Sequence, residues 1–234
     1  MPNFNRNLAL SSSRFKITVG LGLAACLTAS LVACSGDSQS QQSGTDSAAA
    51  VVSTPSSDSP FKGTTLSKPF NKPSVVLTDT AGKPYSIAKD TKGKVTVLYI
   101  GYTNCPDVCP TTMADIAVAL RSLPKDVRDQ TRVVMVTSDP ARDTSKRLKS
   151  WLGFFNAGFV GLTGDYPDVA EAAHQVGVPI EKPTQGPNGS WVVDHGAQVI
   201  LFGRDEKAHE ILTSGFTSAD LANDIKLLVE GKTP

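Results

Sequence analysis

Apolar residues along the chain form either continuous runs or runs with helical spacing. Segments 94–102 (KVTVLYIGY) and 131–139 (TRVVMVTSD) are rich in β-branched and apolar residues, which is typical of strands buried on both faces of a sheet. Between them, apolar residues recur three and four positions apart, at Met113, Ile116, Ala117 and Leu120. Pro110 suits the first turn of such a helix. The pattern therefore predicts a strand, a helix and a second strand.

Towards the C-terminus the alternation continues with three more helices and three more strands. The helices are predicted at 144–154 (Leu148, Trp151, Leu152), at Val169, Ala170, Ala173 and Val176 with Gly177 closing the helix, and at Leu221, Ile225 and Leu228 with Ser218 as N-cap. The strands are predicted at 159–164, 197–203 and 208–215. Because the turn RDEK joins the last two strands, we expect an antiparallel hairpin there. This order predicts a three-layer α/β sandwich with a central mixed sheet, and it resembles the thioredoxin-like order.

The N-terminus has the pattern of a secretory signal. Arg6, Arg14 and Lys16 precede an apolar stretch over 17–33, which ends in the residues LVAC. The small residues before Cys34 resemble the lipobox of bacterial lipoproteins, in which the cysteine is acylated and becomes the new N-terminus. This resemblance predicts a signal peptide over 1–33, a lipid anchor on Cys34 and a location at the extracytoplasmic face of the bacterial cell membrane.

Two other interpretations of this segment remain. A second match, LAAC, ends at Cys26 and leaves a shorter apolar run over 17–25. An uncleaved transmembrane segment needs roughly 17 to 25 apolar residues, and here the run is interrupted by Gly20, Gly22 and Thr28. Each interpretation places the folded domain outside the cytosol and ties it to a membrane surface.

The remaining chain divides by composition. Residues 34–60 contain almost no large apolar side chain, so no burial can offset the entropy of ordering them, and we predict a disordered, flexible tether. Residues 61–234 are long enough for one domain with its own core. The chain has 23 basic and 22 acidic residues without a basic stripe, which argues against a nucleic-acid partner.

Cys105 and Cys109 provide the candidate chemistry. Three residues separate them, a proline follows each, and they lie where the first strand gives way to the first helix. The positive end of the helix dipole favours the thiolate form there, and a thiolate is both a nucleophile and a soft metal ligand. A purely structural disulfide is the weaker interpretation, because so short a ring removes little entropy from the unfolded chain. Redox chemistry and metal binding both remain open.

A metal site would need a third ligand, and two thiolates with one imidazole suit copper or zinc. Among the three histidines, His174 is predicted to be a surface or half-buried helix residue, and His209 is predicted to be solvated. His195 lies where a glycine-containing loop leads into a core strand. An isolated histidine near a strand is a hydrogen-bonded residue more often than a ligand, so these residues alone favour His195 only modestly.

Four motifs together resemble the Sco/SenC family of membrane-tethered copper proteins. They are GYTNCPDVCPTTM (101–113), VTSDPARDT (136–144), GLTG (161–164) and VDHGAQVILF (193–202). The similarity extends from about Val75 to Leu228. It implies a thioredoxin-like fold and one copper ion, Cu(I) or Cu(II), bound by Cys105, Cys109 and His195.

The resemblance also implies a role and partners. Such proteins deliver copper to the binuclear copper centre of cytochrome c oxidase subunit II, or reduce its cysteines, and other copper chaperones and a thiol reductant are expected partners. The sequence departs from the family pattern at Asn104, Ser138 and Gly196, none of which is a presumed ligand. Asp139 is expected to lie near the site and to accept a hydrogen bond there without binding the metal, although an aspartate before proline is also an ordinary turn residue.

The main alternative is a thiol–disulfide oxidoreductase or thiol peroxidase with the same fold. Thioredoxins generally have two residues between their cysteines and a cis-proline in the facing loop, whereas here His195 stands where that proline is expected. This difference favours a metallochaperone over an enzyme. The alternative stays open in a weaker form, because copper loading needs reduced thiols outside the cytosol, where disulfides persist. A lipoprotein that only binds a partner would leave the cysteines and histidine unexplained.

Overall fold

The computed structural model describes residues 59–234. The predicted signal peptide, Cys26, the predicted anchor Cys34 and all but the last two residues of the predicted tether lie outside the described residues. Between residues 59 and 234, no helix has the length and apolar character needed to cross a membrane.

The described chain contains ten strands and six helices. The strands are β1 (Thr64–Asn71), β2 (Val76–Asp79), β3 (Pro84–Ser86), β4 (Val95–Gly101), β5 (Thr131–Thr137), β6 (Val160–Thr163), β7 (Thr184–Gln185), β8 (Trp191–Val192), β9 (Val199–Phe202) and β10 (Lys207–Leu212). The helices are α1 (Ile87–Asp90), α2 (Val108–Ser122), α3 (Lys125–Asp129), α4 (Ser145–Gly153), α5 (Tyr166–His174) and α6 (Ser218–Val229).

A mixed eight-stranded sheet forms the middle layer, in the order β1-β10-β9-β4-β5-β6-β2-β3. Strand β4 pairs in parallel with β5 and antiparallel with β9, and all of its residues are buried. Apolar residues of α2 and α6 pack on one face of the sheet, and those of α5 pack on the other. The predicted three-layer α/β sandwich with a mixed sheet is therefore confirmed, as is the antiparallel hairpin of β9 and β10.

The predicted helices and strands are all present, with some different ends. The helix N-cap predicted at Ser218 is wrong, because Thr217 has the extended backbone and forms a capping box with Asp220. Gly177 has a positive φ of 70° beyond α5, as expected for a residue that ends a helix. The last predicted strand ends early, at Leu212, because the chain then turns through Gly215.

Several elements were not predicted from the sequence, and most are short or lie at a sheet edge. Strand β1 is an edge strand whose pairing with β10 shifts register between Thr65 and Phe70. Strands β7 and β8 have two residues each and form a separate ribbon. Such segments bury few side chains, so their sequences lack the periodic apolar pattern on which the predictions relied.

Two carboxyl groups are buried together between β10 and α6. The Asp224 carboxylate accepts hydrogen bonds from the backbone N–H groups of Lys62 and Gly63, which holds the segment before β1 against α6. Both carboxyl oxygens of Glu210 are buried. Burial and the neighbouring Asp224 carboxylate raise the pKa of Glu210 to about 8.

This raised pKa predicts that the fold loses stability as the pH rises from about 4.5 to about 8. The folded chain holds the Glu210 proton more tightly than the unfolded chain, whose glutamates titrate near 4.5. The stability from Glu210 is therefore fully present below that value and is lost as the pH rises through about 8. We expect Glu210→Gln, which cannot ionise, to lie closest to the parent at pH 5 and to exceed its unfolding free energy at pH 9 by on the order of a few kcal/mol.

Chemical denaturation of the reduced protein at pH 5, 7 and 9 measures this difference. The control is Glu181→Gln, which removes an exposed carboxylate and should change stability little at any pH. A difference between Glu210→Gln and the parent that is the same at all three pH values would contradict the prediction.

Candidate metal centre

The two cysteines lie between the end of β4 and the first turn of α2. Cys105 is in the connecting loop and is 8% exposed, whereas Cys109 is the second residue of α2 and is fully buried. The Cys109 backbone N–H donates to Cys105 Sγ at 3.4 Å. Pro110 lies in the first helical turn as predicted, where a missing N–H costs no helical hydrogen bond. Both thiols are free.

A buried carboxylate organises the loop that carries Cys105. Asp143 accepts hydrogen bonds from the Thr103 backbone N–H at 2.8 Å, from the Thr103 hydroxyl and from the Thr137 hydroxyl at 2.7 Å. Arg147 lies against the same group and donates to Thr103 Oγ1 and to Asn104 Oδ1. Asn104, a departure from the family pattern, therefore helps to hold the loop. These bonds order the loop before any ligand binds.

Gly101, the last residue of β4, packs directly against the Cys109 sulfur and the Tyr99 ring. A Cβ atom on this residue would lie 2.9 Å from Cys109 Sγ and 2.5 Å from a ring carbon of Tyr99. No real Cβ makes such contacts, so a larger residue would push the sulfur or the ring away. The Tyr99 hydroxyl donates to Cys109 Sγ at 3.3 Å. Glycine here thus lets the phenol and the thiol share one buried space.

His195 is half-buried in the segment between β8 and β9. Its Nδ1 lies 3.0 Å from the Gly196 carbonyl oxygen. Because a carbonyl only accepts hydrogen bonds, this contact places the proton of a neutral imidazole on Nδ1 and its lone pair on Nε2. Nε2 lies 3.9 Å from Cys105 Sγ. The free lone pair therefore faces the cysteines.

The three side chains form one cluster of donor atoms. The sulfurs of Cys105 and Cys109 and a ring nitrogen of His195 all lie within 4.8 Å of one another. Across residues 59–234, no second group of three metal-binding side chains comes this close together. Two soft sulfur donors and one imidazole suit copper or zinc. The structure thus brings together the three residues that the sequence comparison indicated as ligands.

The two thiols differ in acidity. Burial alone would raise the pKa of Cys105, but the backbone N–H groups of Cys109 and Asp107 stabilise its thiolate and leave the pKa below its ordinary value. Burial raises the pKa of Cys109 to about 12, and the Tyr99 hydrogen bond offsets this only in part. The expectation that the helix N-terminus favours both thiolates is therefore wrong for Cys109, where desolvation outweighs the dipole.

The other predicted residues are not members of this cluster. Asp139 is fully buried at the end of β5, and its carboxylate is paired with Arg142. His174 is exposed, as expected. His209 was expected to be solvated, but it is half-buried and its Nε2 lies 2.7 Å from the Asp205 carboxylate. The contact with Asp205 across the turn covers part of the imidazole.

Tyrosines around the donor atoms were not identified from the sequence. Tyr99 contacts Cys109, and the Tyr102 ring lies 5.4 Å from the His195 ring, centroid to centroid. The signal for Tyr99 was available, because alternate residues of a strand share a face and Tyr99 lies two positions before Gly101. No comparable pattern indicated Tyr102.

This thioredoxin-like α/β domain, with a pair of free cysteines and a histidine at one end of its sheet, belongs to the class of proteins in which that fold presents a thiol-based site. The SCO1/SenC family model matches residues 64–230. The chain therefore belongs to the SCO1/SenC family.

Among curated relatives, the chain is similar to mitochondrial protein SCO2 of Saccharomyces cerevisiae, with 30% identity over 172 residues, covering 72% of this chain and 54% of the relative. It is also similar to protein sco1 of Schizosaccharomyces pombe, with 32% identity over 138 residues, covering 58% of this chain and 52% of the relative. The chain thus spans about half the length of these relatives.

Solved structures give the same likeness. Copper-bound ScoI of Bradyrhizobium japonicum is 33% identical with a TM-score of 0.58, covering 68% of this chain and 96% of that chain. Apo Sco1 of Thermus thermophilus is 30% identical with a TM-score of 0.64, covering 72% of this chain and 96% of that chain. BsSco, a member of the Sco family of cytochrome c oxidase assembly proteins, is 24% identical with a TM-score of 0.55. The match covers 70% of this chain and 98% of that chain, and at this identity it supports the fold alone.

Proposed function

We propose that this chain is a membrane-tethered copper chaperone that binds one copper ion through Cys105, Cys109 and His195. The observation that carries the proposal is the convergence of the three donor atoms within 4.8 Å. Membership of the SCO1/SenC family and the copper-bound structure of a relative at 33% identity support copper as the ion. The target is the binuclear copper centre of cytochrome c oxidase, with subunit II as the recipient.

The donor set is suited to holding and then releasing copper. Two soft thiolates suit Cu(I), and an imidazole adds a donor that Cu(II) also favours. His195 is half-buried on an irregular segment, whereas both sulfurs belong to buried residues. The histidine is therefore the most accessible of the three proposed ligands. A recipient's ligands would therefore approach from the histidine side. Other copper chaperones would load the site, and a thiol reductant would keep it reduced.

A second function is favoured by the difference between the thiols. Cys105 has the lower pKa and the greater exposure, as a nucleophile needs, whereas Cys109 is buried behind it as a resolving thiol would be. This arrangement supports a thiol–disulfide oxidoreductase that keeps the cysteines of the target reduced. Copper binding remains the first proposal, because membership of the SCO1/SenC family and the copper-bound structure of a relative at 33% identity support it.

The proposed location depends on the N-terminal segment. If Cys34 is the acylated first residue of the mature chain, residues 35–60 link the domain to the extracytoplasmic face of the membrane. Intact-mass analysis of the protein purified from membranes should give a chain that begins at Cys34 and carries attached acyl groups. An unmodified N-terminus, or cleavage at another site, would refute the anchor and leave the copper proposal standing.

The decisive experiment replaces His195. Cu(II) bound by two thiolates should show sulfur-to-copper charge-transfer absorption, and we expect His195→Ala to alter that spectrum and to weaken Cu(II) binding by at least about tenfold. Cu(I) affinity should fall less, because two thiolates can hold Cu(I) with little help. Visible absorption and competitive titration of the soluble domain measure both effects.

The control variant is His174→Ala, which removes an exposed histidine on α5. It should leave the spectrum and both affinities unchanged. If His195→Ala also left them unchanged, while Cys105→Ala abolished a measurable disulfide-reductase activity, the oxidoreductase function would replace the copper chaperone.

We also expect oxidation of the thiols to act as a gate on copper binding. A disulfide between Cys105 and Cys109 removes both thiolate ligands at once and leaves His195 as the remaining donor of the set. Copper titration of the fully reduced and fully oxidised domain should therefore give much weaker binding for the disulfide form. Equal affinity in the two states would mean that the sulfurs are not the ligands.

A further inference from the structure

The segment that carries His195 follows the β7–β8 ribbon, whose two strands are not paired with the main sheet. Strands β7 and β8 pair only with each other, through Thr184 with Val192 and Gln185 with Trp191. Both residues of β8 are exposed, Trp191 by 41% and Val192 by 60%. Because only two residues separate Val192 from His195, a movement of β8 would also move the His195 backbone.

A contact between Arg142 and Trp191 joins β8 to the body of the domain. The guanidinium carbon of Arg142 lies 4.6 Å from the centre of the Trp191 ring. This is the geometry of a cation–π contact, which a guanidinium makes well because it is planar and weakly hydrated. The exposed indole is thus held by a charged group from the loop after β5.

Arg142 is itself fixed to the core. Its Nε donates to the carboxylate of Asp139, which is fully buried at the end of β5. Its backbone N–H donates to the Asp139 carbonyl at 3.1 Å, and the Asp139 N–H donates to the Thr137 hydroxyl at 3.0 Å. Trp191 is therefore tied, through Arg142 and Asp139, to a strand that pairs directly with β4.

We propose that Arg142 and Trp191 form a positioning clamp that holds the β7–β8 ribbon and thereby keeps His195 Nε2 in reach of the two sulfurs. The clamp rests on the proposed copper function. It assigns a role to Asp139 that differs from direct support of a ligand, since its carboxylate anchors the guanidinium. The cysteines belong to a separately ordered loop, so loss of the clamp should affect the imidazole ligand and spare the sulfurs.

The test removes the indole in Trp191→Ala. We expect Cu(II) affinity to fall about 3- to 30-fold, the range that one cation–π contact supports, with a shift in the charge-transfer spectrum towards that of His195→Ala. Cu(I) affinity should stay within about twofold, since the sulfurs are untouched. Trp191→Phe keeps an aromatic face and should restore most of the Cu(II) affinity.

Two further variants separate the clamp from a general effect on the ribbon. Arg142→Lys keeps a charge beside Asp139 but loses the planar guanidinium, and it should reproduce the loss seen in Trp191→Ala without adding to it in the double variant. Val192→Ala trims the more exposed neighbour on the same strand and should match the parent. Equal losses in Val192→Ala and Trp191→Ala, or parent-like Cu(II) binding in Trp191→Ala, would overturn the clamp.

A measurement without copper distinguishes failure of the clamp from failure of the proposed function. In the reduced, metal-free protein, Trp191→Ala should lower the backbone NMR order parameters of residues 192–196 and leave those of residues 103–109 unchanged. If these order parameters fall but neither the parent nor the variant binds copper, the clamp stands as a positioning device and the copper function fails. If the order parameters of residues 192–196 are unchanged, the clamp is refuted whatever the copper result.

Discussion

The pairing of β4 with β9 is the constraint on which the site depends. The strands run antiparallel, with Tyr99 opposite Val199. The C-terminal end of β4 and the N-terminal end of β9 therefore lie side by side at the same end of the sheet. The loop after β4 carries Cys105, and the segment before β9 carries His195. Residues 90 positions apart in the chain are thus brought together by backbone hydrogen bonds in the most buried part of the fold.

Two buried carboxylates, those of Asp143 and Asp139, hold the loops around this junction. Asp143 gathers the hydrogen bonds of the Cys105 loop, while Asp139 fixes Arg142 beneath the β7–β8 ribbon. Each carboxylate is fully buried and each has an arginine partner. Such pairs add little net stability but make one loop arrangement much more favourable than its alternatives. The cysteine loop and the histidine segment are therefore ordered by two separate groups.

The separate ordering has a chemical consequence. The sulfurs lie in a rigid and largely buried environment, where Cys105 is the more acidic thiol and Cys109 needs a strong partner before it gives up its proton. The imidazole belongs to a half-buried segment between β8 and β9 that has no regular secondary structure. A site with two firmly held soft donors and one adjustable donor can accept copper in either oxidation state. The same arrangement also suits thiol exchange.

The sequence by itself determined the strands and helices with strong apolar periodicity and the placement of the cysteines at a strand–helix junction, and its motifs indicated the three proposed ligands. Those features depend on local spacing along the chain. Only the tertiary structure decided that Tyr99 contacts Cys109, that burial makes Cys109 a weak acid, and that Arg142 packs against Trp191. The edge strand β1 and the short ribbon also escaped prediction. These outcomes depend on which distant side chains share a buried space and on how much water that space excludes, and neither quantity is encoded in local spacing.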